Sequence, residues 1–586
     1  MNVFGIQLEF NIFYLIKKLI EVNKDYLNFN NVVEKKYNII DFVENEFEFE
    51  ILKTEFSKEN SLTFFDNKIE YGDFQTPNDL TDRICTYIKN QGIEPDVIIE
   101  PTSGIGNFIL SSLKYFKNIE YIYGIEINRE YAFFSKFRII ELIEKEKKSY
   151  ATKIKIYNAN IFDFNFDNLK IGSDKNILIL GNPPWVTNTT LSSLNSDNLP
   201  PKTNFKNHNG IDAITGKGNF DISEYITLMI IKYFQNKRAY FSFIVKNSVI
   251  KNIIFDQQKN KYKISSIKKI NIDAQKEFNV SVNACVMYCE FNIDVDYKLE
   301  ESSIYMNGKP IQIGWYNNKF VSNIDIYSKG QNYDGRCQFE WRSGIKHDCV
   351  KVLELKKING IYSNGLSEQF EIEEDLVYRY LKGSQLKKKI INSSNLFTII
   401  TQAKINEGTD IIFEKFPKTY KYLYNHQNLF ENRKSSIYKN KPKFSIFGIG
   451  DYSFKPYKIA IAGLYKEFNI SLIIPDENNK PIMLDDTCYF LGFDILEFAL
   501  IAFSMMNNEK FIKFIDSITF NDIKRKYTKD ILMRIDFFEI SQSLTYNDIK
   551  NIIELITPKY SDIISEKSWI DFVNSIKKAD SKLVLY

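Results

Sequence analysis

The sequence predicts an α/β fold built on a doubly wound, mostly parallel sheet, with a small helical lobe before it and an α+β region after it. Short apolar runs end one after another in polar or glycine residues: Val97-Ile-Ile-Glu100, Tyr121-Ile-Tyr-Gly-Ile-Glu126, Lys153-Ile-Lys-Ile-Tyr157 and Asn176-Ile-Leu-Ile-Leu180. Such runs, bounded by turn residues, read as strands buried on both faces. Segments with helical spacing separate them, which is the pattern of βαβ units. The link Glu100-Pro-Thr-Ser-Gly104-Ile-Gly106-Asn-Phe108 joins the first run to an amphipathic helix through Leu110, Leu113 and Phe116, the turn that opens Rossmann-like halves.

The elements follow in chain order. At 586 residues, with 44% hydrophobic and 15% aromatic side chains, the chain is too long for one ordinary domain and has core enough for two or three. Residues 1–70 begin with Phe10, Phe13, Leu15, Ile16 and Leu19 at helical spacing, continue into the acidic run Glu44 to Glu50, and read as a helical lobe. Residues 71–295 hold the sheet, and Gly72-Asp-Phe74-Gln-Thr76-Pro77 leads into a helix from Asn78. After the Asn176–Leu180 strand, residues 187–220 are rich in Asn, Ser, Thr, Gly and Pro, the composition of a long loop that orders over a substrate. Asp221-Ile-Ser-Glu224 before an apolar helix is a capping arrangement. Residues 296–490 mix short strands with turns such as Gly448-Ile-Gly-Asp-Tyr-Ser-Phe454, and residues 491–586 return to helical spacing in Leu496–Phe503 and Ile549–Leu555.

Two loops carry chemistry. Asn182-Pro183-Pro184-Trp185 hangs on the end of a buried strand. The prolines fix φ and lack N–H groups, so the loop is rigid and offers acceptors, not donors. The Asn182 Oδ1 and Pro183 carbonyl can accept the two N–H groups of an exocyclic amine while Trp185 stacks on its ring. In the Glu100–Phe108 turn, two of the three glycines of a dinucleotide fingerprint are present, and Glu126 follows Gly104 by 22 positions, near the ~20 expected of a carboxylate that grips ribose hydroxyls. No GxxxxGK[ST] motif occurs, and Glu100 at the mouth repels a pyrophosphate but suits an ammonium or sulfonium. S-adenosylmethionine carries both, with a ribose, and Asn160 after the third strand is placed to meet an adenine edge.

Together these motifs resemble the gamma class of S-adenosylmethionine-dependent adenine-N6 DNA methyltransferases, in their order and over most of the chain. The resemblance implies a Rossmann-like methyltransferase sheet, with residues 296–490 as target-recognition domain. It implies cofactor contacts from Phe74, Thr76, Glu100, Thr102, Gly104, Gly106, Glu126, Ile127, Asn160, Ile161 and Asn182, and a flipped adenine held by Asn182, Pro183, Pro184 and Trp185. Phe278, just before the strand Cys285–Phe291, is the candidate for the opposite face of the base, set against a plain core role in a chain with 48 Phe. Two positions depart from the family: Asn160 replaces the usual Asp, keeping a carbonyl acceptor, and Trp185 replaces the commoner Tyr, keeping the stacking face without the hydroxyl.

Composition bounds the rest. Six scattered cysteines without a C-x-x-C, and three histidines, indicate neither a disulfide framework nor a zinc site, and no metal is expected. The most apolar stretch, Phe490–Met506, carries Asp494 and Glu497, and the first residues lack a charged segment before an apolar one, so a cytoplasmic monomer with no membrane contact is expected. Net charge is only +3, but residues 381–450 hold 13 Lys or Arg against 4 acidic side chains, interleaved with Phe416, Tyr420, Tyr422, Tyr424, Phe430 and Tyr438. Arg433, Lys434, Lys441 and Lys443 are the candidate phosphate contacts of a duplex DNA face. A glutamine-amide or RNA methyltransferase shares the Asn-Pro-Pro-aromatic loop, but those enzymes are small and have no use for a long basic C-terminal region. No nuclease centre is evident, so any restriction endonuclease partner is a separate chain.

Overall fold

The computed structural model describes residues 2–4, 6–58, 74–186, 221–291, 294–304, 306–521 and 524–583. The expected loop 187–220, Gly72 and Asp73 of the first motif and the 70/71 boundary lie outside them. The chain forms two compact units, Met1–Phe320 and Val321–Tyr586.

After a short antiparallel hairpin of Asn2–Val3 and Ile6–Gln7, the first unit continues with helices α1 (Phe10–Val22), α2 (Tyr26–Tyr37) and α3 (Glu46–Ser57). On α1 the buried face is Ile12, Phe13, Ile16 and Ile20. The apolar stripe is therefore rotated from the expected one, and Phe10 is 62% exposed. Asn45 caps α3, and the acidic run supplies Glu46 and Glu48 to its first turn, where negative charge favours the helix dipole. These helices share one core with the sheet. Lys136 fixes the joint, its buried ammonium donating to the Phe42 carbonyl at 2.8 Å.

The rest of the unit alternates as the sequence predicts: α4 (Asn78–Asn90), β1 (Val97–Glu100), α5 (Asn107–Tyr115), β2 (Tyr121–Glu126), α6 (Arg129–Glu146), β3 (Lys153–Asn158), β4 (Ile177–Gly181), α7 (Ile222–Phe234), β5 (Ala239–Lys246), α8 (Asn247–Asn260), β6 (Ile264–Ile272), α9 (Ala274–Phe278) and β7 (Ala284–Phe291). Strands β8 (Lys298–Ser303), β9 (Met306–Tyr316) and β10 (Lys319–Val321) carry the sheet past residue 295. The order is β10-β9-β8-β6-β7-β5-β4-β1-β2-β3. Strands β3, β2, β1, β4 and β5 pair in parallel, and β7 runs antiparallel to both its neighbours. Every residue of β1 and β4 is buried, as strands covered on both faces must be. Strand order reverses at β1, with β2 on one side and β4 on the other, so a crevice opens at the carboxyl ends there.

The second unit contains a five-stranded sheet centred on Cys488–Phe493 and Tyr457–Ala462 and a six-stranded sheet that includes Glu354–Ile358, Leu396–Ile399 and Val377–Leu381. The helix Leu496–Asn507 is buried on nearly every side, packed between the five-stranded sheet and the helices Tyr546–Ile556 and Glu566–Leu583. Among the described residues no helix is long and apolar enough to cross a membrane. No group of three or more His, Cys, Asp or Glu among them is placed to hold a metal. All six cysteines are free and buried.

Candidate active site

The carboxyl ends of β1, β2 and β4, with the turn after β3, converge on one cleft. It encloses about 1040 Å³ including its open mouth, and its lining includes Phe74, Thr76, Glu100, Thr102, Gly104, Glu126, Ile127, Asn160, Ile161, Asn182 and Pro184. Residues that lie far apart in sequence meet because parallel strands in register end together: Glu100 pairs with Gly124, and Glu126 with Asn158.

The turn after β1 is built for close approach. Gly104 has φ +52° and Gly106 φ +77°, the left-handed region that glycine enters without strain. A Cβ on Gly106 would strike the Ser135 hydroxyl of α6. Gly106 itself does not line the cleft; it is a packing hinge at the start of α5, not the expected cofactor contact. Glu126 locks the turn, accepting from the Gly104 N–H at 2.7 Å and, through its other oxygen, from the Asn128 N–H at 2.8 Å. Arg138 on α6 secures the same turn from behind, donating to the Ile105 carbonyl at 2.9 Å and to the Asn107 side chain.

Glu100 is 3% exposed, and its Oε2 has no hydrogen-bond partner among the described residues. Burial, helped by the nearby Glu126 charge, pushes its carboxyl well above the usual carboxylate range. The Thr102 hydroxyl beside it is likewise buried and unpartnered. Unsatisfied buried acceptors are costly and call for a donor. A cationic amino-acid end at Glu100 supplies such a donor, with the Glu126 carboxylate at the neighbouring strand end, so the residues present fit S-adenosylmethionine. Asn160 lines the cleft, with its Oδ1 accepting from the Phe162 N–H at 3.0 Å, so the oxygen expected to face an adenine edge already closes a local turn.

The segment Phe74–Pro77 is the hinge between cofactor cleft and Asn182. The Asn182 Nδ2 donates to the Phe74 carbonyl at 2.9 Å, and the Asn107 Nδ2 donates to the Thr76 carbonyl at 2.5 Å. That first bond orients the Asn182 amide. Its Oδ1 is buried with no partner among the described residues and remains an acceptor. Trp185 and Phe278 do not stand apart as two walls. Trp185 is 6% exposed, its Nε1 reaches the Ile244 carbonyl at 3.3 Å, and its ring meets Phe278 edge-on at 5.1 Å and Phe74 at 5.7 Å. The expected sandwich for a base is thus closed on itself, because three large aromatic faces bury one another when nothing lies between them. Pro183 and Trp185 do not line the cleft.

Sequence reasoning missed Gln75, Asn107, Tyr131 and Phe162, and Ile222 and Ile226 of α7, all of which line the cleft. A signal existed for the last pair, whose i, i+4 spacing puts both on one face of the next described helix after β4.

In the second unit the basic segment forms a surface pocket lined by Arg433, Lys439, Lys441 and Lys443 with Phe430 and Tyr438. Lys434, Lys441 and Lys443 are exposed. Arg433 is a correction to the expected phosphate set. Its guanidinium donates to the carbonyls of Phe430, His347 and Ser445 and lies 3.6 Å from the Tyr438 ring centre, so it faces inward as a brace. Tyr422 and Phe430 are likewise core side chains and not available flat surfaces.

No family model matches the chain. The type II methyltransferase M.NspV of Nostoc sp. is 39% identical over 477 residues, covering 80% of this chain and 96% of that protein. Solved structures with partial similarity include a nuclease-deletion mutant of the type ISP restriction-modification enzyme LlaGI in complex with a DNA substrate mimic (TM-score 0.43, 12% identity, 94% of this chain and 62% of that chain). Another is the type IIG restriction endonuclease BpuSI (TM-score 0.36, 12% identity, 90% of this chain and 67% of that chain). With 39% identity across four fifths of its length, the chain belongs to the type II methyltransferases, S-adenosylmethionine-dependent DNA methyltransferases of restriction-modification systems.

Proposed function

We propose that the protein methylates the N6 amine of an adenine flipped out of a specific duplex DNA sequence. The observation that carries this reading is the Asn182 amide, whose Nδ2 is held by the Phe74 carbonyl and whose buried Oδ1, at the edge of the cofactor cleft, has no partner among the described residues. Inside a duplex the target amine is stacked and paired, so the base must leave the helix to reach this depth. Trp185 and Phe278 then part to admit the ring, exchanging their mutual edge contact for stacking on the base.

S-adenosylmethionine, when bound, supplies a methyl group on a sulfonium sulfur. The chain supplies geometry: Asn182 Oδ1 and the Pro183 carbonyl accept the two N–H groups and turn the nitrogen lone pair toward the cleft. Positioning of this kind is worth on the order of 7–11 kcal/mol of barrier. The surplus proton leaves the methylated amine for solvent, so no general base of shifted pKa is required.

Residues 296–490 carry target recognition in this reading, with Lys434, Lys441 and Lys443 on DNA phosphates. Replacing these three lysines with glutamine is expected to weaken DNA binding and to reduce the slope of log K against log salt by up to ~0.9 for each phosphate no longer neutralised. Arg433→Gln should instead lower thermal stability and leave that slope unchanged, since its donors already serve carbonyls of the chain. Titration of binding between low and moderate salt separates the two. An unchanged slope in the triple variant would assign those lysines to solvated surface.

Expression in a host without DNA methylation, followed by single-molecule sequencing, tests the function itself. N6-methyladenine at one recurrent sequence is expected, and a modification confined to cytosine, RNA or protein glutamine would overturn the reading. A separate restriction endonuclease that cuts the same sequence is the partner this activity implies.

A further inference from the structure

Two adjacent prolines remove two main-chain donors from the Asn182–Trp185 loop, so its backbone relies heavily on carbonyls to be tied down. The structure supplies donors to those carbonyls from two places. The Ile222 N–H at the start of α7 donates to the Val186 carbonyl at 2.9 Å. Lys246, the last residue of β5, donates from Nζ to the Trp185 carbonyl at 3.0 Å. The same ammonium donates to Asp221 Oδ2 at 2.6 Å, with the two side chains only 21% and 11% exposed.

The two oxygens of Asp221 divide the work. Oδ1 accepts from the Ser223 N–H at 2.9 Å and from the Ser223 hydroxyl, which completes the cap of α7. Capping therefore does not need Oδ2, and the sequence pattern that marks Asp221 as a cap says nothing of the second bond. Holding an ammonium and a carboxylate in this confined place has a desolvation cost that a simple helix start does not require. The return is a rigid strut from the end of β5 to the exit of the loop.

We propose that Lys246 is a positioning residue for methyl transfer. Through the Trp185 carbonyl it sets the attitude of the loop that presents Asn182 and the Pro183 carbonyl to the amine, and Asp221 holds its ammonium in place. This inference rests on the reading of that loop as the amine pocket. Lys246 touches neither substrate nor cofactor in this role, so its loss alters the alignment of reacting groups and not their binding.

The experiment compares full-length wild type, Lys246→Met, Lys246→Arg and Asp221→Asn. The measurements are cofactor affinity by calorimetry, DNA affinity at fixed salt, and the single-turnover rate at saturating DNA and cofactor. Lys246→Met is expected to lower the saturated rate by ~10- to ~10²-fold, the scale of a small misplacement of reacting groups, with both affinities within about twofold of wild type. Lys246→Arg, which can donate to both acceptors, should recover most of the rate, and Asp221→Asn should fall between. A saturated rate in Lys246→Met equal to wild type overturns the proposal. So does a loss matched by an equal loss of cofactor or DNA affinity. If Lys246→Met does not fold, the other two variants decide: an unchanged rate in Asp221→Asn, or a rate in Lys246→Arg no higher than in Asp221→Asn, overturns it. The base modified by wild type is identified in the same assay, so a wild type that methylates something other than adenine N6 refutes the parent reading while the variant ratios still judge the strut.

Discussion

Asn182→Ala is expected to lower methylation turnover at saturating DNA and cofactor by at least ~10²-fold, the loss typical of one preorganised polar partner in an active site. The substitution removes a buried acceptor at the cleft edge that has no partner among the described residues, and with it the bond that ties the end of β4 to the Phe74 carbonyl. Cofactor affinity should change far less, because Glu100, Glu126 and the glycine turn remain. Asn182→Asp provides a finer reading. It keeps an acceptor toward the amine but sets a second acceptor against the Phe74 carbonyl, so its turnover should lie between wild type and Asn182→Ala. Single-turnover assays and calorimetry on the three proteins check this. Turnover of Asn182→Ala equal to wild type would end the amine-pocket reading.

The parts of the site legible in the sequence are those fixed by strand ends. Glu100, Glu126 and Asn182 each terminate or directly follow an apolar run, and parallel strands in register bring such termini to one edge regardless of the rest of the fold. Helix-borne contributions were not legible in the same way. Arg138 reaches the glycine turn from the third turn of α6, and which face of that helix meets the turn is decided by packing on the sheet, not by local sequence. The extension of the sheet through β8, β9 and β10 depends on the parallel pairing of β8 with the earlier strand β6, Glu300 opposite Lys268, which periodicity does not reveal. Charge counting found the basic segment but not the direction of its side chains. Arg433 turned inward because three carbonyls and an aromatic face outcompete solvent for a planar guanidinium, whereas the lysines around it, compact and strongly hydrated, stayed out.

Glu100→Gln is expected to weaken S-adenosylmethionine binding and, in the same protein, to stabilise the cofactor-free fold at neutral and alkaline pH. The binding loss follows from replacing a carboxylate by a neutral amide opposite a cationic ligand. A hydrogen bond to a charged group is worth ~1.5–3 kcal/mol, or roughly 10- to 10²-fold in affinity. The stability gain follows from burial. The Glu100 carboxyl is held well above its ordinary range in the folded protein, first by desolvation and then by Glu126, while the unfolded chain titrates near 4.5. Between those two values the unfolded state has shed a proton that the folded state retains, so this group subtracts stability progressively as pH rises through the window. Glutamine has no proton to lose. The difference in melting temperature between variant and wild type should therefore be small near pH 4.5, widen as pH rises, and always favour the variant. Cofactor reverses the order, because a bound cation holds Glu100 ionised and stabilises wild type preferentially. For the same reason binding to wild type should release a proton, visible as a dependence of the calorimetric enthalpy on the buffer's ionisation enthalpy, and the glutamine variant should lack that dependence. A variant less stable than wild type without cofactor at pH 8, or one that binds cofactor as tightly, would mean that Glu100 is a structural carboxylate whose missing partner lies within the protein and not in the ligand.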